Sequence, residues 1–479
     1  MSFEVTSPSS SRLASKNLSR RSQTKPKANS KWIFQAFIVL LIGSALDAYS
    51  LGPVPVPWVM QVASLVVIVY MAFKCDLAST AAMRTMVWFV VWAIIVTWGG
   101  LFFHDYAPLM PSITSTPYIP FIFLRFLALL SFVGSLYLVY YLLTQGYYDA
   151  VVRATVITGT IIALYALYVY VAQLQGWPEL PRSRMGTGGG EQAVTFSYTF
   201  HRALGSFREP SILAQWLVVP FFLSLFSVRR WDRFSMLLMG LVLLLTGSLS
   251  GLAAIAGGMA AAALVTNPFD LKKLKVFSRF ILIGALVMLA FTTMVSSNSS
   301  EGVDLFEVLN DRIQPILLAG GLSTSNRDYI YEYIAQVPFP WIGVGLGNAN
   351  LLFGKFLGSN LVGSFISLYF STLYSTGIIG FLILMRALLQ PILQAAIQRK
   401  ARSEKIFLLL AAYISCLIIF AVAGEEFTFM FALLLALLMY ELRLQKTRFS
   451  TRVVRGDPHH TTTAGSSYNK SFRASSVLP

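Results

Sequence analysis

Arg229-Arg230-Trp231-Asp232-Arg233 opens, and Lys272-Lys273-Leu274-Lys275 closes, a nearly unbroken apolar run from 235 to 267. Such a run is too long for one membrane helix, since the bilayer core takes about 20 residues. Thr246-Gly247-Ser248-Leu249-Ser250-Gly251 divides it near its middle. Basic clusters mark the cytoplasmic ends of membrane helices. With one cluster at each end, the run crosses an even number of times. The sequence therefore predicts two short helices joined by a Gly/Ser turn at the outer side, or a re-entrant element there. Gly251, Ala254, Gly257, Gly258 and Ala261 put small residues on successive turns of the second helix, which suits tight helix contacts.

The same reading extends in both directions. Apolar runs occur at roughly 32–52, 57–73, 86–104, 118–143, 154–173 and 210–228, then 280–296, 363–390, 406–424 and 427–442. With the divided run they make about twelve spans, an all-α polytopic bundle over 32–442. Residues 1–31 are Ser-rich and basic, and 443–479 are polar; both are expected to be disordered cytoplasmic tails. Only 12% of the 479 residues are charged and 56% are hydrophobic, against about a quarter charged in soluble domains.

The net charge of +16 suggests a nucleic-acid partner, but its placement argues otherwise. With the N-terminus inside, 28 of the 37 Lys and Arg fall on one side. That side holds Lys74 and Arg84, then Arg153, then Arg229, Arg230 and Arg233, and then Lys272, Lys273, Lys275 and Arg279. Arg399, Lys400, Arg402, Lys405 and both tails complete it. Every even-numbered loop agrees, which is positive-inside bias with both termini cytoplasmic and no nucleic-acid footprint. Cys75 and Cys416 imply no disulfide framework.

The bias leaves few basic residues for the outer side, where two long loops (about 174–209 and 297–362) are expected. Those residues are Arg182, Arg184, Arg202, Arg208, Arg312, Arg327 and Lys355, with Arg125 and Arg386 inside spans. An anionic substrate is one reason to retain them. In His201-Arg202-Ala203-Leu204-Gly205-Ser206-Phe207-Arg208-Glu209-Pro210-Ser211, Pro210 fits the first turn of a helix. Arg208 and Glu209 then lie at a helix N-terminus that favours anions. Two arginines there can grip a pyrophosphate; an interfacial loop with capping side chains is the alternative.

The second candidate is Asn326-Arg327-Asp328-Tyr329 with Gly343-Val344-Gly345-Leu346-Gly347-Asn348. Arg327 opens an expected short outer helix, and the glycines let backbone approach a ligand closely. Arg125 inside span four is costly in lipid unless it faces the bundle or a cavity. Glu425 and Glu426 read as turn carboxylates, and Gly186-Thr187-Gly188-Gly189-Gly190 lacks the Lys-Ser/Thr ending of a P-loop. No metal-ligand spacing is present.

These residues, in this order, resemble the O-antigen ligase and Wzy-type polymerase superfamily of bacterial envelope enzymes. The matching stretches begin with Arg202-x-x-Gly205-x-Phe207-x-x-Pro210-x-x-x-Ala214 and the Leu-Thr-Gly-Ser turn at 245–248. Arg327, Gly343-Val344-Gly345-Leu346-Gly347-Asn348 and Gly377-Ile378-Ile379-Gly380 follow. The resemblance covers roughly 200 to 385. It implies a GT-C-like glycosyltransferase at the outer face of the bacterial inner membrane. Such an enzyme moves glycan from a polyprenyl-pyrophosphate-linked oligosaccharide to an acceptor glycan, with no cofactor and no metal, beside a flippase and a chain-length regulator. It assigns Arg202 and Arg327 to the diphosphate, with Arg208 assisting and Glu209 as the nearest candidate base. Arg125, Ser248, Gly343, Gly345 and Asn348 are the further substrate-binding candidates.

Two departures steer the reading. Gly363-Ser364-Phe365-Ile366-Ser367 lacks the histidine of ligases, and Ser248-Leu249-Ser250-Gly251 lacks the arginine of a Ser-Arg-Gly turn. Phe207-Arg208-Glu209-Pro210-Ser211 is closer to exopolysaccharide or capsule polymerases. The expectation is therefore a polymerase, with a ligase acting on a lipid acceptor as the near alternative. A lipid-linked oligosaccharide flippase is the alternative from another class; such folds show repeat symmetry and midplane polar sites.

Overall fold

A computed structural model describes residues 28–52, 54–111, 117–184, 202–225, 230–266, 328–358, 362–363, 365, 367–398, 404–422 and 427–454. The expected span at 280–296, Arg327, Arg312, the 186–190 glycine run, His201, Glu425, Glu426 and most of both tails lie outside these residues.

The described residues are almost wholly helical, beyond a two-residue hairpin pairing Ser50–Leu51 with Val54–Pro55. The helices are α1 (Ala28–Gly43), α2 (Val56–Lys74), α3 (Ala81–Gly100), α4 (Tyr118–Thr144) and α5 (Tyr148–Gln175). Then come α6 (Pro210–Ser224), α7 (Arg230–Leu245) and α8 (Leu249–Thr266). Two short helices, α9 (Asp328–Gln336) and α10 (Asn348–Phe356), precede α11 (Leu368–Ile397), α12 (Glu404–Val422) and α13 (Phe429–Val454). Six of them are long and apolar enough to cross a membrane. This is an all-helical, multi-pass membrane protein.

The divided run folds as expected, into α7 and α8 around the turn 246–248. The small residues of α8 do what their spacing predicts. A Cβ on Gly258 would lie 2.6 Å from the Ala411 carbonyl oxygen and 2.7 Å from the Ser415 nitrogen, so α8 and α12 meet nearly backbone to backbone. Two boundaries differ from expectation. The run 32–52 is helical only to Gly43, because Asp47 and the hairpin at 50–55 take the chain out of the helix. At the other end, α13 continues through Val454, past the tail boundary expected at 443.

Pairwise contacts sort the helix ends into two groups. At one end, Ala48 N–H donates to the Ser206 carbonyl (2.9 Å), Arg184 N–H to Ala48 (3.1 Å) and Ala203 N–H to Leu245 (2.8 Å). The other end holds the Ser30–Tyr147, Thr80–Met439 and Arg443–Tyr140 contacts, and Lys405 over the Tyr148 ring. Lys74 ends α2, whose first residue Val56 donates its N–H to the Tyr49 carbonyl, so the helices alternate between a loop-rich end and a basic end.

Helix α6 is the pillar of this arrangement. It is buried all round from Leu213 to Ser224, as expected of a helix that is apolar on every face. It packs against α5, α7, α8 and α12. Its N-terminus, opened by Pro210, emerges at the loop-rich end.

Candidate functional site

The segment 202–209 threads between three elements before entering α6. Arg202 Nε donates to the Thr246 carbonyl at 2.7 Å, so the guanidinium caps the carbonyl end of α7. Ser206 Oγ donates to Ala45 O at 2.6 Å, which ties the segment to the turn after α1. Gly205 has φ +52, and a Cβ there would lie 2.8 Å from that of Ala166 on α5. A side chain at 205 would push the segment off α5.

Asp47 is the centre of the site and had no role in the sequence reading. It is 3% exposed. One carboxylate oxygen pairs with Arg184 Nη1, and the other accepts from Arg208 Nε at 2.9 Å and from Arg208 N–H at 3.2 Å. Arg184 Nη1 also donates to the Asp47 main-chain carbonyl at 2.9 Å. One buried carboxylate thus fixes two guanidiniums from the 174–209 loop. A lone acid inside the apolar run 32–52 was the signal that could have found it.

Arg182 is held less completely. Its side chain is only 3% exposed, with Nε 3.4 Å from the Gly205 carbonyl and Nη2 3.8 Å from Glu179. Among the described residues neither terminal nitrogen finds a hydrogen-bond partner. Burial lowers its pKa, and the Glu179 charge opposes that shift. Glu179 in turn accepts from Gln173 Nε2 at 3.1 Å. Four guanidiniums therefore gather at the entry to α6, with Asp47, Glu179 and Glu209 as the described carboxylates beside them.

Glu209 occupies the N-cap position of α6 in an extended conformation, and its side chain does not cap the helix. It is exposed, and Ser211 Oγ donates to its carboxylate at 3.1 Å. Ser248 lies in the turn that receives Arg202. It is 4% exposed, 3.2 Å from Ser250 Oγ, and accepts from Gly251 N–H at 3.3 Å. The structure thus brings Arg202, Arg208, Glu209 and Ser248 to one end of α6.

The glycine-rich candidate forms a separate centre. Gly377 breaks α11 with φ 68 and ψ −174. The backbone of 341–345 fills the break: Val344 N–H donates to Tyr374 O (3.1 Å), Gly345 N–H to Ser375 O (2.8 Å) and Ile378 N–H to Trp341 O (3.1 Å). Trp92 Nε1 satisfies the Thr376 carbonyl at 2.8 Å. A Cβ on Gly343, whose φ is +94, would lie 2.5–2.6 Å from three backbone atoms of 375–377. Gly343 thus approaches the protein's own backbone, whereas a Cβ on Gly347 would meet the side chains of Phe121, Ile122 and Arg125.

Asn348 is used in the same way. Its Nδ2 donates to Val344 O at 2.8 Å, and its Oδ1 accepts from Tyr118 at 2.7 Å. Arg125, two turns from Tyr118 on the same helix face, lies against Phe121 and beside Gly347. Above this knot, Tyr333 of α9 packs edge-on against Phe353, Phe356 and Phe365 in a satellite core. The helix expected after Arg327 is α9. Among the described residues no group of His, Cys, Asp and Glu could hold a metal ion.

No known protein-family model matches the chain, and no curated protein matches it.

Proposed function

We propose that the protein is a polysaccharide polymerase working at the outer face of a bacterial cytoplasmic membrane through about twelve spans in a GT-C-like arrangement. Its donor is a glycan on polyprenyl pyrophosphate, and its acceptor is the hydroxyl of a second glycan. The observation that carries this reading is the gathering of Arg182, Arg184, Arg202 and Arg208 around the N-terminus of the buried helix α6, at the end opposite the basic end. Positive charge there runs against positive-inside bias and fits an anionic group held at the membrane surface.

In the reaction the acceptor oxygen forms a bond to the anomeric carbon as the bond from that carbon to the diphosphate oxygen breaks. The polyprenyl diphosphate leaves with added negative charge, and fixed guanidiniums stabilise charge that develops at that moment. The acceptor proton passes to a base, for which Glu209, the exposed carboxylate beside Arg208 at the start of α6, is the candidate. Asp47 positions Arg184 and Arg208 without contacting substrate. Arg327 is assigned to the diphosphate from its motif.

The flippase reading predicts free backbone groups at a broken helix, where transporters bind substrate and coupling ions. The break at Gly377 instead has its neighbouring groups paired with 341–345 and Trp92, which favours the polymerase. Cells carrying Arg202→Ala or Arg327→Ala should make no polymer at normal protein level. Arg202→Lys should retain partial activity because it keeps the charge. Normal polymer length in both alanine variants would sink the assignment.

A further inference from the structure

At the basic end, a cleft of about 620 Å³ lies between the α2–α3 connection, the end of α11 and α13. Arg443 and Lys446 line it, with Ser79, Thr80, Gln394 and Gln398 as the polar neighbours. Among the described residues no acidic one lines it. Arg443 uses Nη1 to reach the Tyr140 hydroxyl at 3.1 Å, while Lys446 is exposed. Arg84, one turn into α3, adds a third cation, its Nη1 3.4 Å from Ser79 Oγ. The N-terminus of α3, capped by Thr80, opens at the same place and favours negative charge.

The remaining wall is apolar: Ala78, Ile397, Met439 and Leu442. Ile397 is 83% exposed and begins an apolar stripe that climbs α11 through Leu393 and Leu389 and ends at exposed Arg386 on the same face. These apolar residues recur every four positions and so lie on one face of the helix. The cleft therefore joins a cationic, hydroxyl-bearing base to an apolar track about two helical turns long.

We propose that this cleft binds the headgroup phosphate of an anionic phospholipid through Arg443 and Lys446, with an acyl chain lying on the α11 stripe. A soluble anion would need the cations and hydroxyls but not the stripe. The basic end is the one the charge bias places in the cytoplasmic leaflet, where basic pockets between helices take acidic lipid headgroups. The lipid would then bridge α3, α11 and α13 at their shared end. The site is separate from the arginines around α6 and does not rest on their assignment.

The test uses the full chain purified in neutral detergent and titrated with fluorescent phosphatidylglycerol, then with phosphatidylcholine and inorganic phosphate as competitors. Phosphatidylglycerol should bind more tightly than phosphatidylcholine. Lys446→Gln should weaken it about fivefold, and Lys446→Gln with Arg443→Gln about thirtyfold. Arg443→Lys, which keeps the charge but alters the Tyr140 contact, should bind nearly as wild type. Equal affinity of wild type and the double variant would overturn the proposal. Displacement by millimolar phosphate as complete as by unlabelled phosphatidylglycerol would also overturn it, and would show a free-anion site.

Discussion

Replacing Asp47 by alanine should unfasten the loop that carries the site arginines. Asp47 is 3% exposed and takes three hydrogen bonds from Arg208 N–H, Arg208 Nε and Arg184 Nη1. Removing one partner of a buried pair costs about 3–5 kcal/mol, because the charge left behind is uncompensated. Here the stranded side chains are 14% and 29% exposed, so water recovers part of the loss, Arg208's share most of all. The lower end, about 3 kcal/mol, is the expected cost. Asp47→Asn keeps an acceptor but not the charge and should cost about half as much. The assay is the thermal midpoint of the full chain in detergent, run as a cycle with Arg208→Gln. Asp47→Ala should lower the midpoint by several degrees, and the double variant should fall less than the sum of the singles. An unchanged midpoint, or strict additivity, would refute the claim that one carboxylate holds both arginines.

Three further outcomes follow from the packing. Gly343→Ala places a Cβ 2.5–2.6 Å from backbone of the broken helix at a positive φ, and should cost more than about 2 kcal/mol in the same assay. Trp92→Phe orphans the Thr376 carbonyl and should cost about 1–3 kcal/mol, whereas Trp88→Phe, on an exposed position of the same helix, should be nearly neutral. The Tyr333 hydroxyl is pushed up to about 12 by burial, with the Tyr374 hydroxyl adding to the shift. The folded state therefore holds its proton where the unfolded chain releases it. That contribution is intact below pH 10, the ordinary tyrosine value, and is lost as pH rises toward 12. Comparing midpoints at pH 9 and pH 11 should show the loss, and Tyr333→Phe should make it shallower.

Much of the helical layout was legible because hydropathy and basic flanks are local signals. The divided run 235–267, the spans at 57–73 and 118–143, and the close packing of α8 through Gly258 all follow from residues near one another in sequence. The end of α1 at Gly43 did not, since apolar residues continue past a turn that Asp47 anchors to a loop over a hundred positions away. Asp47 shows the same limit on the site. The arginines were visible as exceptions to a charge rule, but the acid that orders two of them was hidden inside an apolar run. The glycines at 343–347 read as a place where backbone could approach a ligand closely. Sequence does not say what is approached: for Gly343 it is the backbone of 375–377, and for Gly345 that of Thr97.

The central claim is tested most directly by giving purified, reconstituted protein a polyprenyl-pyrophosphate-linked glycan repeat unit and resolving the products by length. The account predicts a ladder of longer lipid-linked glycans with release of polyprenyl diphosphate, absent with Arg202→Ala and diminished with Glu209→Gln. Substrate that crosses between leaflets without lengthening, or a ladder unchanged by Arg202→Ala, would contradict it.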